Sequence, residues 1–126
     1  MLRPHQADHF AHDWIAAWND HDLDRVLSHY RDDVVFTSPF AVLHAEARDG
    51  VVLGRPALRR YFQRALQAYP DLHFEPYGVL AGVSSAAVHY RSVGGREAIE
   101  VMEFDSQRQV RRAAGHYSDP PTAGTS

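Results

Sequence analysis

The stretch that decides the fold is WIAAWNDHDLDRVLSHYRDDVVFTSP, residues 14–39. Aromatic and small apolar residues at helical spacing predict a first helix over 6–19. Asp22 suits the N-cap of a second helix, which we expect over 23–30. The β-branched and aromatic run at 34–37 then predicts a strand. The order is therefore helix, tight link, helix, strand.

The rest of the chain extends this pattern. Gly-Arg-Pro at 54–56 is typical of a helix start and predicts a third helix to about residue 69. The irregular segment 39–54 is interpreted as a hairpin or a lid over a cavity mouth. A Pro/Gly/Ser/Thr-rich tail at 118–126 predicts disorder beyond a single domain at 1–117. Four further strands are predicted, separated by turn residues, at 72–80, 85–93, 96–105 and 109–117.

This order predicts an α+β fold in which a curved antiparallel sheet wraps three helices into a cone with a single pocket. The exposed face of such a sheet is rich in Val, Tyr, Met and Ile, more apolar than a face in contact with water needs to be. We therefore expect a homodimer that forms through the sheet.

Composition limits the function. The chain has 126 residues, net charge -3 and no cysteine, which excludes disulfides and thiolate chemistry. No basic cluster indicates nucleic acid, and no apolar run indicates a membrane span or a signal peptide, so a cytoplasmic protein is expected. His5, His9 and His12 share a helical spacing but suit a solvated face better than a metal site, so we expect no metal and no cofactor.

Several landmarks resemble those of the nuclear transport factor 2-like superfamily, and most closely its SnoaL-like members. They are Trp18-Asn19 before His21–Asp24, the strand end Phe36–Pro39, the helix start Gly54–Leu58, and the final His116-Tyr117. The resemblance covers nearly the whole domain. It implies the cone-shaped fold shared with ketosteroid isomerase and scytalone dehydratase, but members of the superfamily share no single chemistry.

The resemblance to ketosteroid isomerase implies three site positions. The carboxylate base of that enzyme aligns with Ser38 here, its helix-one tyrosine with Trp14, and its second acid falls near Glu100. A serine is no base without an activating partner, and an indole N–H only donates, so the isomerase set is broken. His89 and His116 come nearest to the histidine pair of scytalone dehydratase.

Glu100 is the strongest catalytic candidate. Alternation places it on one strand face with Met102 and Phe104, and Glu103 on the other. A carboxyl group on that apolar face would have a raised pKa and suit general acid–base catalysis. The alternative is an ion pair between Glu100 and an arginine of the sheet, namely Arg91, Arg96 or Arg112.

His89 and Arg91 share a strand face, which the isomerase alignment places in the pocket as an anion- or enol-binding cluster with Glu100. The opposite parity would bury Tyr90 and leave His89 at a dimer interface. His116 ends the last strand, near either the pocket mouth or the dimer contact.

Aromatic residues are expected to wall the pocket, with Trp14 and Phe40 the best choices, Tyr61 and Met102 beside them, and Ser38 at the rim. The predicted function is binding of a small apolar, carbonyl-bearing molecule. The binding protein would be a cofactor-independent isomerase, cyclase or dehydratase in which Glu100 or a histidine moves a proton. The alternative is a non-catalytic ligand-binding or protein-interaction dimer.

Overall fold

A computed structural model describes residues 1–44 and 49–120. The helices are α1 Pro4–Asn19, α2 Leu23–Leu27, α3 Ala41–His44 and α4 Arg55–Ala68. The strands are β1 Tyr30–Thr37, β2 Val51–Leu53, β3 Glu75–Ala81, β4 Ser85–Arg91, β5 Glu97–Phe104 and β6 Val110–Tyr117. The α+β fold predicted from the sequence is confirmed. In the part of the chain described, no helix is both long and apolar enough to cross a membrane.

The second helix is shorter than predicted and the first strand longer. Asp22 caps α2 by accepting a hydrogen bond from the Arg25 backbone N–H at 3.2 Å, as its position in the sequence predicted. The helix ends at Leu27 because Tyr30 already pairs with Val110 of β6 and is fully buried. Pairing with the sheet therefore overrides the helical spacing of residues 28–30.

The sheet has six strands in the order β2-β1-β6-β5-β4-β3. Every neighbouring pair is antiparallel except β1 and β6, which run parallel. The expected all-antiparallel sheet was wrong at this junction, since side-chain alternation reports which face a residue occupies and not the direction of its strand.

Segment 39–54 holds the one-turn helix α3 and the edge strand β2, which forms an antiparallel pair with β1. The hairpin interpretation therefore fits Val51–Leu53, while residues 45–48 lie outside those described. Gly54 leads into α4 with a φ of 86°, and its N–H donates to the Val34 carbonyl at 2.8 Å. A residue with a side chain would be strained at that φ.

The core lies between the inner face of the sheet and helices α1 and α4. Even-numbered residues of β4 and β5 point inward, as the burial of Val88, Ala98 and Met102 shows.

After β6, the Ser118 N–H donates to the Glu97 carbonyl and Arg96 donates to the Asp119 carbonyl. The rest of the predicted tail, 121–126, lies outside the described residues.

Candidate functional site

An aromatic cavity of about 70 Å³ lies between α1, α4 and the inner face of the sheet. Its wall includes one acidic residue, Glu100. The other lining residues are Trp14, Trp18, Tyr30, Phe36, Phe40, Tyr61, Phe62, Ala65, Tyr69, Leu72, Phe74, Tyr90, Ser92, Val93 and Tyr117.

Glu100 points inward from the middle of β5 and is 3% exposed. The Tyr90 hydroxyl donates to Glu100 Oε2 at 3.3 Å. The other carboxyl oxygen, Oε1, is buried without any hydrogen-bond partner. Buried polar groups are nearly always paired, so this oxygen is an acceptor or donor position open to a water molecule or a ligand in the cavity.

Burial controls the charge of this group. Loss of hydration raises the pKa of Glu100 from 4.5 to about 8, against a smaller lowering effect of the hydrogen bond from Tyr90. At neutral pH the carboxyl is therefore mostly the neutral acid, a hydrogen-bond donor as well as an acceptor.

Gly115 makes room for the carboxyl. It pairs with Glu100 across β5 and β6, and a Cβ built on it would lie 3.4 Å from Glu100 Oε1 and 3.3 Å from the Tyr117 ring. Any side chain here would occupy the space beside the unpaired oxygen.

Four tyrosines surround the acid as neutral donors. Burial raises the pKa of each, and the nearby Glu100 raises them further. The Tyr30 hydroxyl accepts a hydrogen bond from Trp14 Nε1 at 3.0 Å. Among the described residues, the acceptor for its own proton is the sulfur of Met102, 4.0 Å away. The four are Tyr30, Tyr61, Tyr90 and Tyr117.

The structure brings together most of the predicted wall. Trp14, Phe40 and Tyr61 line the cavity with Glu100. Met102, predicted as a wall residue, does not line the cavity; it is fully buried, with its sulfur 4.0 Å from the Tyr30 hydroxyl. Ser38 is 4% exposed, accepts from the Phe40 backbone N–H at 3.2 Å and interacts with the Tyr61 and Tyr117 hydroxyls. The inward orientation predicted for Glu100 is confirmed; the roles of these residues stay predictions.

Three predicted site residues face away from the cavity. His89 lies on the outer face of β4, with Nε2 3.0 Å from Glu97 Oε2. Arg91 is exposed on the same face, 3.9 Å from Glu75, and His116 is exposed on β6. Of the two parities considered for this strand, the one that placed His89 and Arg91 in the pocket was wrong, and the structure has the alternative that buries Tyr90. The reason is that β4 buries its more apolar set, including Val88 and Tyr90. A His89–Arg91–Glu100 cluster therefore does not form.

No group of three or more His, Asp or Glu side chains in the described ranges is arranged to hold a metal ion. His5, His9 and His12 are all exposed on α1.

The sequence analysis buried Tyr90 only in the alternative parity of its strand, and it did not place Trp18 in the cavity wall. The signal for Tyr90 was present, since Ala86, Val88 and Tyr90 form the more apolar set of β4. Trp18 was not among the residues chosen as best candidates for the pocket wall. No sequence signal showed that its indole N–H lacks a partner.

Comparison with known proteins places this chain in a family. A family model described as a SnoaL-like domain matches residues 11–118. The chain belongs to the SnoaL-like family. No match was found among curated proteins. A SnoaL-like protein of unknown function from Burkholderia thailandensis is 45% identical, with a TM-score of 0.86 over 90% of this chain and 94% of that one.

More distant structures share the fold of this SnoaL-like chain. A protein of unknown function with a cystatin-like fold from Methylobium petroleophilum is 14% identical, with a TM-score of 0.74 over 99% of this chain and 84% of that one. SalBIII, an epoxide hydrolase/cyclase-like enzyme in pyran ring formation of the polyether salinomycin, is 16% identical, with a TM-score of 0.73 over 94% and 95% of the two chains.

Proposed function

We propose that this SnoaL-like protein is a cofactor-independent enzyme that binds a small apolar, carbonyl-bearing molecule and uses Glu100 to move a proton. One observation carries the proposal: Glu100 is a buried carboxyl on a cavity wall, mostly protonated at neutral pH, with one oxygen lacking a partner. A pKa near the working pH is what general acid–base catalysis requires.

A single carboxyl group suffices for a balanced reaction. The acid form gives its proton to the carbonyl oxygen of the ligand, and the carboxylate so formed takes a proton from the carbon next to that carbonyl. The ligand becomes its enol, and Glu100 is protonated again. Tyr30 lines the cavity, and its proton has a weak partner, the Met102 sulfur, so it is the donor available to stabilise charge that develops on the oxygen. Tyr90 donates its proton to Glu100 and holds the carboxyl in place. An enol is an intermediate that isomerisation, cyclisation and dehydration can share. SalBIII, named as an epoxide hydrolase/cyclase-like enzyme, has the same fold.

The test measures exchange of α-protons for deuterium in a simple ketone, pentan-2-one, by NMR in D2O. The wild type should accelerate exchange, and Glu100→Gln, which keeps the shape and removes the acid, should abolish the acceleration. The matched control is Glu103→Gln, the same change on the outer face of the same strand, where Glu103 pairs with Arg111 at 3.1 Å. Equal exchange rates in the wild type and Glu100→Gln would refute the proposal.

A non-catalytic binding module is the second candidate. It is favoured by the outward orientation of His89, Arg91 and His116, which leaves Glu100 without an ionisable His, Lys or Arg beside it among the residues lining the cavity. This candidate predicts that ketones bind, quenching the fluorescence of the cavity tryptophans, while exchange stays at the rate in buffer.

We also propose a homodimer through the outer face of the sheet. Ile99 is 41% exposed at the centre of that face, next to Val101 and Ala114, and exposed charged groups surround them. Sedimentation equilibrium should give twice the 14.2 kDa chain mass. Ile99→Arg should give the monomer, and Val83→Arg, at an exposed turn, should not. A monomeric wild type would refute the dimer.

A further inference from the structure

A second unpaired polar atom belongs to a residue that lines the same cavity. Among the described residues, the buried side-chain nitrogens and oxygens without a hydrogen-bond partner are Trp18 Nε1 and Glu100 Oε1. Both residues line the cavity, and both are almost completely buried, at 4% and 3% exposed. Two unpaired polar atoms in residues that line one small cavity are better explained by a common ligand than by two unrelated missing hydrogen bonds.

Trp14 differs from Trp18 in that its indole N–H has a hydrogen-bond partner. Trp14 is also buried on α1, one helical turn before Trp18, but its Nε1 donates to the Tyr30 hydroxyl at 3.0 Å. Trp18 is surrounded by aromatic rings instead, with Phe62 and Phe74 at centroid distances of 4.7 and 5.5 Å. These rings offer its N–H no oxygen acceptor, so leaving it unpaired is costly unless a ligand supplies one.

The chemistry of the two atoms defines what they recognise. An indole N–H only donates, so its partner must be an acceptor. A protonated carboxyl at Glu100 also donates, so it too prefers an acceptor. We propose that Trp18 is a specificity residue, and that the ligand enters the cavity with an end group carrying two acceptor oxygens, such as a dicarbonyl, one oxygen at Trp18 Nε1 and the other at Glu100. This inference rests on the function proposed above for Glu100.

The size of the cavity limits that end group. Cavities of about 150 Å³ take up benzene, and the space here is about 70 Å³. The end group is therefore only a few atoms in size. A larger ligand would continue outward between Tyr69, Leu72, Ser92 and Val93, which line both this cavity and an outer hollow of about 490 Å³.

The experiment compares small probes with the same five-carbon chain: pentan-2-one with one carbonyl, and pentane-2,3-dione and pentane-2,4-dione with two. Dissociation constants are measured at pH 6.5, where the Glu100 acid form dominates. We expect at least one dione to bind about ten- to a hundredfold more tightly than the monoketone, because the monoketone leaves a buried donor unpaired. Trp18→Phe should remove that advantage. Trp14→Phe is the matched control. It should keep the ratio of the dione and monoketone dissociation constants, whatever it does to each constant, since the Trp14 N–H already has a partner.

A second readout needs no substitution. The chain has two tryptophans, so a ¹⁵N–¹H spectrum of the indole groups shows two signals. The Trp18 signal should move downfield when the dione binds and much less with the monoketone. Equal affinity for both probes, dependent on Glu100, with an unmoved Trp18 signal would overturn this inference and leave the proposed function standing. Failure of every probe to bind would overturn both.

Discussion

Glu100→Gln should make the stability of the protein less dependent on pH. Gln has nearly the same shape, its amide oxygen can accept from the Tyr90 hydroxyl, and it cannot ionise. In the wild type, the folded protein holds the Glu100 proton up to about pH 8, whereas the unfolded chain releases it near pH 4.5. Between these values the folded state binds one more proton than the unfolded state. The free energy of unfolding therefore falls as pH rises through this window.

The size of the effect follows from the same values. Each pH unit between 4.5 and about 8 costs about 1.4 kcal/mol, so the full window costs roughly 5 kcal/mol. The contribution of Glu100 is fully favourable below pH 4.5, declines across the window and is constant above the pKa of the folded state. Marginal domain stabilities of about 5–15 kcal/mol make such a loss easy to detect.

Urea unfolding followed by tryptophan fluorescence, at intervals from pH 4.5 to 9, measures the effect. The difference in unfolding free energy between Glu100→Gln and the wild type should grow in favour of the variant by several kcal/mol across that range. Glu103→Gln, on the solvent side of β5, should follow the wild type. A constant difference between Glu100→Gln and the wild type at every pH would show that Glu100 ionises normally in the folded protein.

Two further predictions concern the site, and a third concerns the polar contacts that Asp13 of α1 makes. Tyr30→Phe should lower the unfolding free energy by about 1–3 kcal/mol, because it leaves the buried Trp14 N–H without a hydrogen-bond acceptor. Urea unfolding measures the loss, and a loss no larger than that of the exposed Tyr77→Phe would contradict this. Gly115→Val should lower the unfolding free energy by about 1–3 kcal/mol by overpacking. It should also abolish pentan-2-one binding in fluorescence titrations, since the new side chain would occupy the space beside Glu100 Oε1. Retained binding would refute the placement of the ligand beside that oxygen. Asp13→Ala should lower the unfolding free energy by about 1–2 kcal/mol, and by less in 1 M salt. The reason is that Asp13 accepts hydrogen bonds from Arg25 and His29, each at 2.6 Å. A loss of stability that salt does not change would exclude an ionic contribution.

Most of the fold could be predicted from the sequence because local patterns specify it. Helical spacing gave α1 and α4, alternation and turn residues gave β3 to β6, and Asp22 marked the start of α2. The parallel pairing of β1 and β6 could not be predicted in this way. Strand direction depends on how the whole chain crosses the sheet, and no local pattern encodes that.

The site was predicted only where the physical pattern of the strand was followed. Alternation placed Glu100 inward among apolar neighbours, and the structure agrees. The same rule favours Tyr90 as the inward residue of β4, but the alignment with ketosteroid isomerase favoured His89, and the alignment was wrong. The partnerless Trp18 N–H depends on which rings pack around it, which only the three-dimensional structure reveals.

The central claim is that Glu100 is a neutral acid in contact with a carbonyl ligand. The most direct measurement is a pH titration of the Glu100 side-chain carboxyl carbon by ¹³C NMR, assigned with Glu100→Gln, with and without pentan-2-one. We expect a midpoint near 8 in the free protein and a higher one with the ketone, because the acid form donates to the carbonyl oxygen. A midpoint near 4.5, unchanged by the ketone, would contradict the claim.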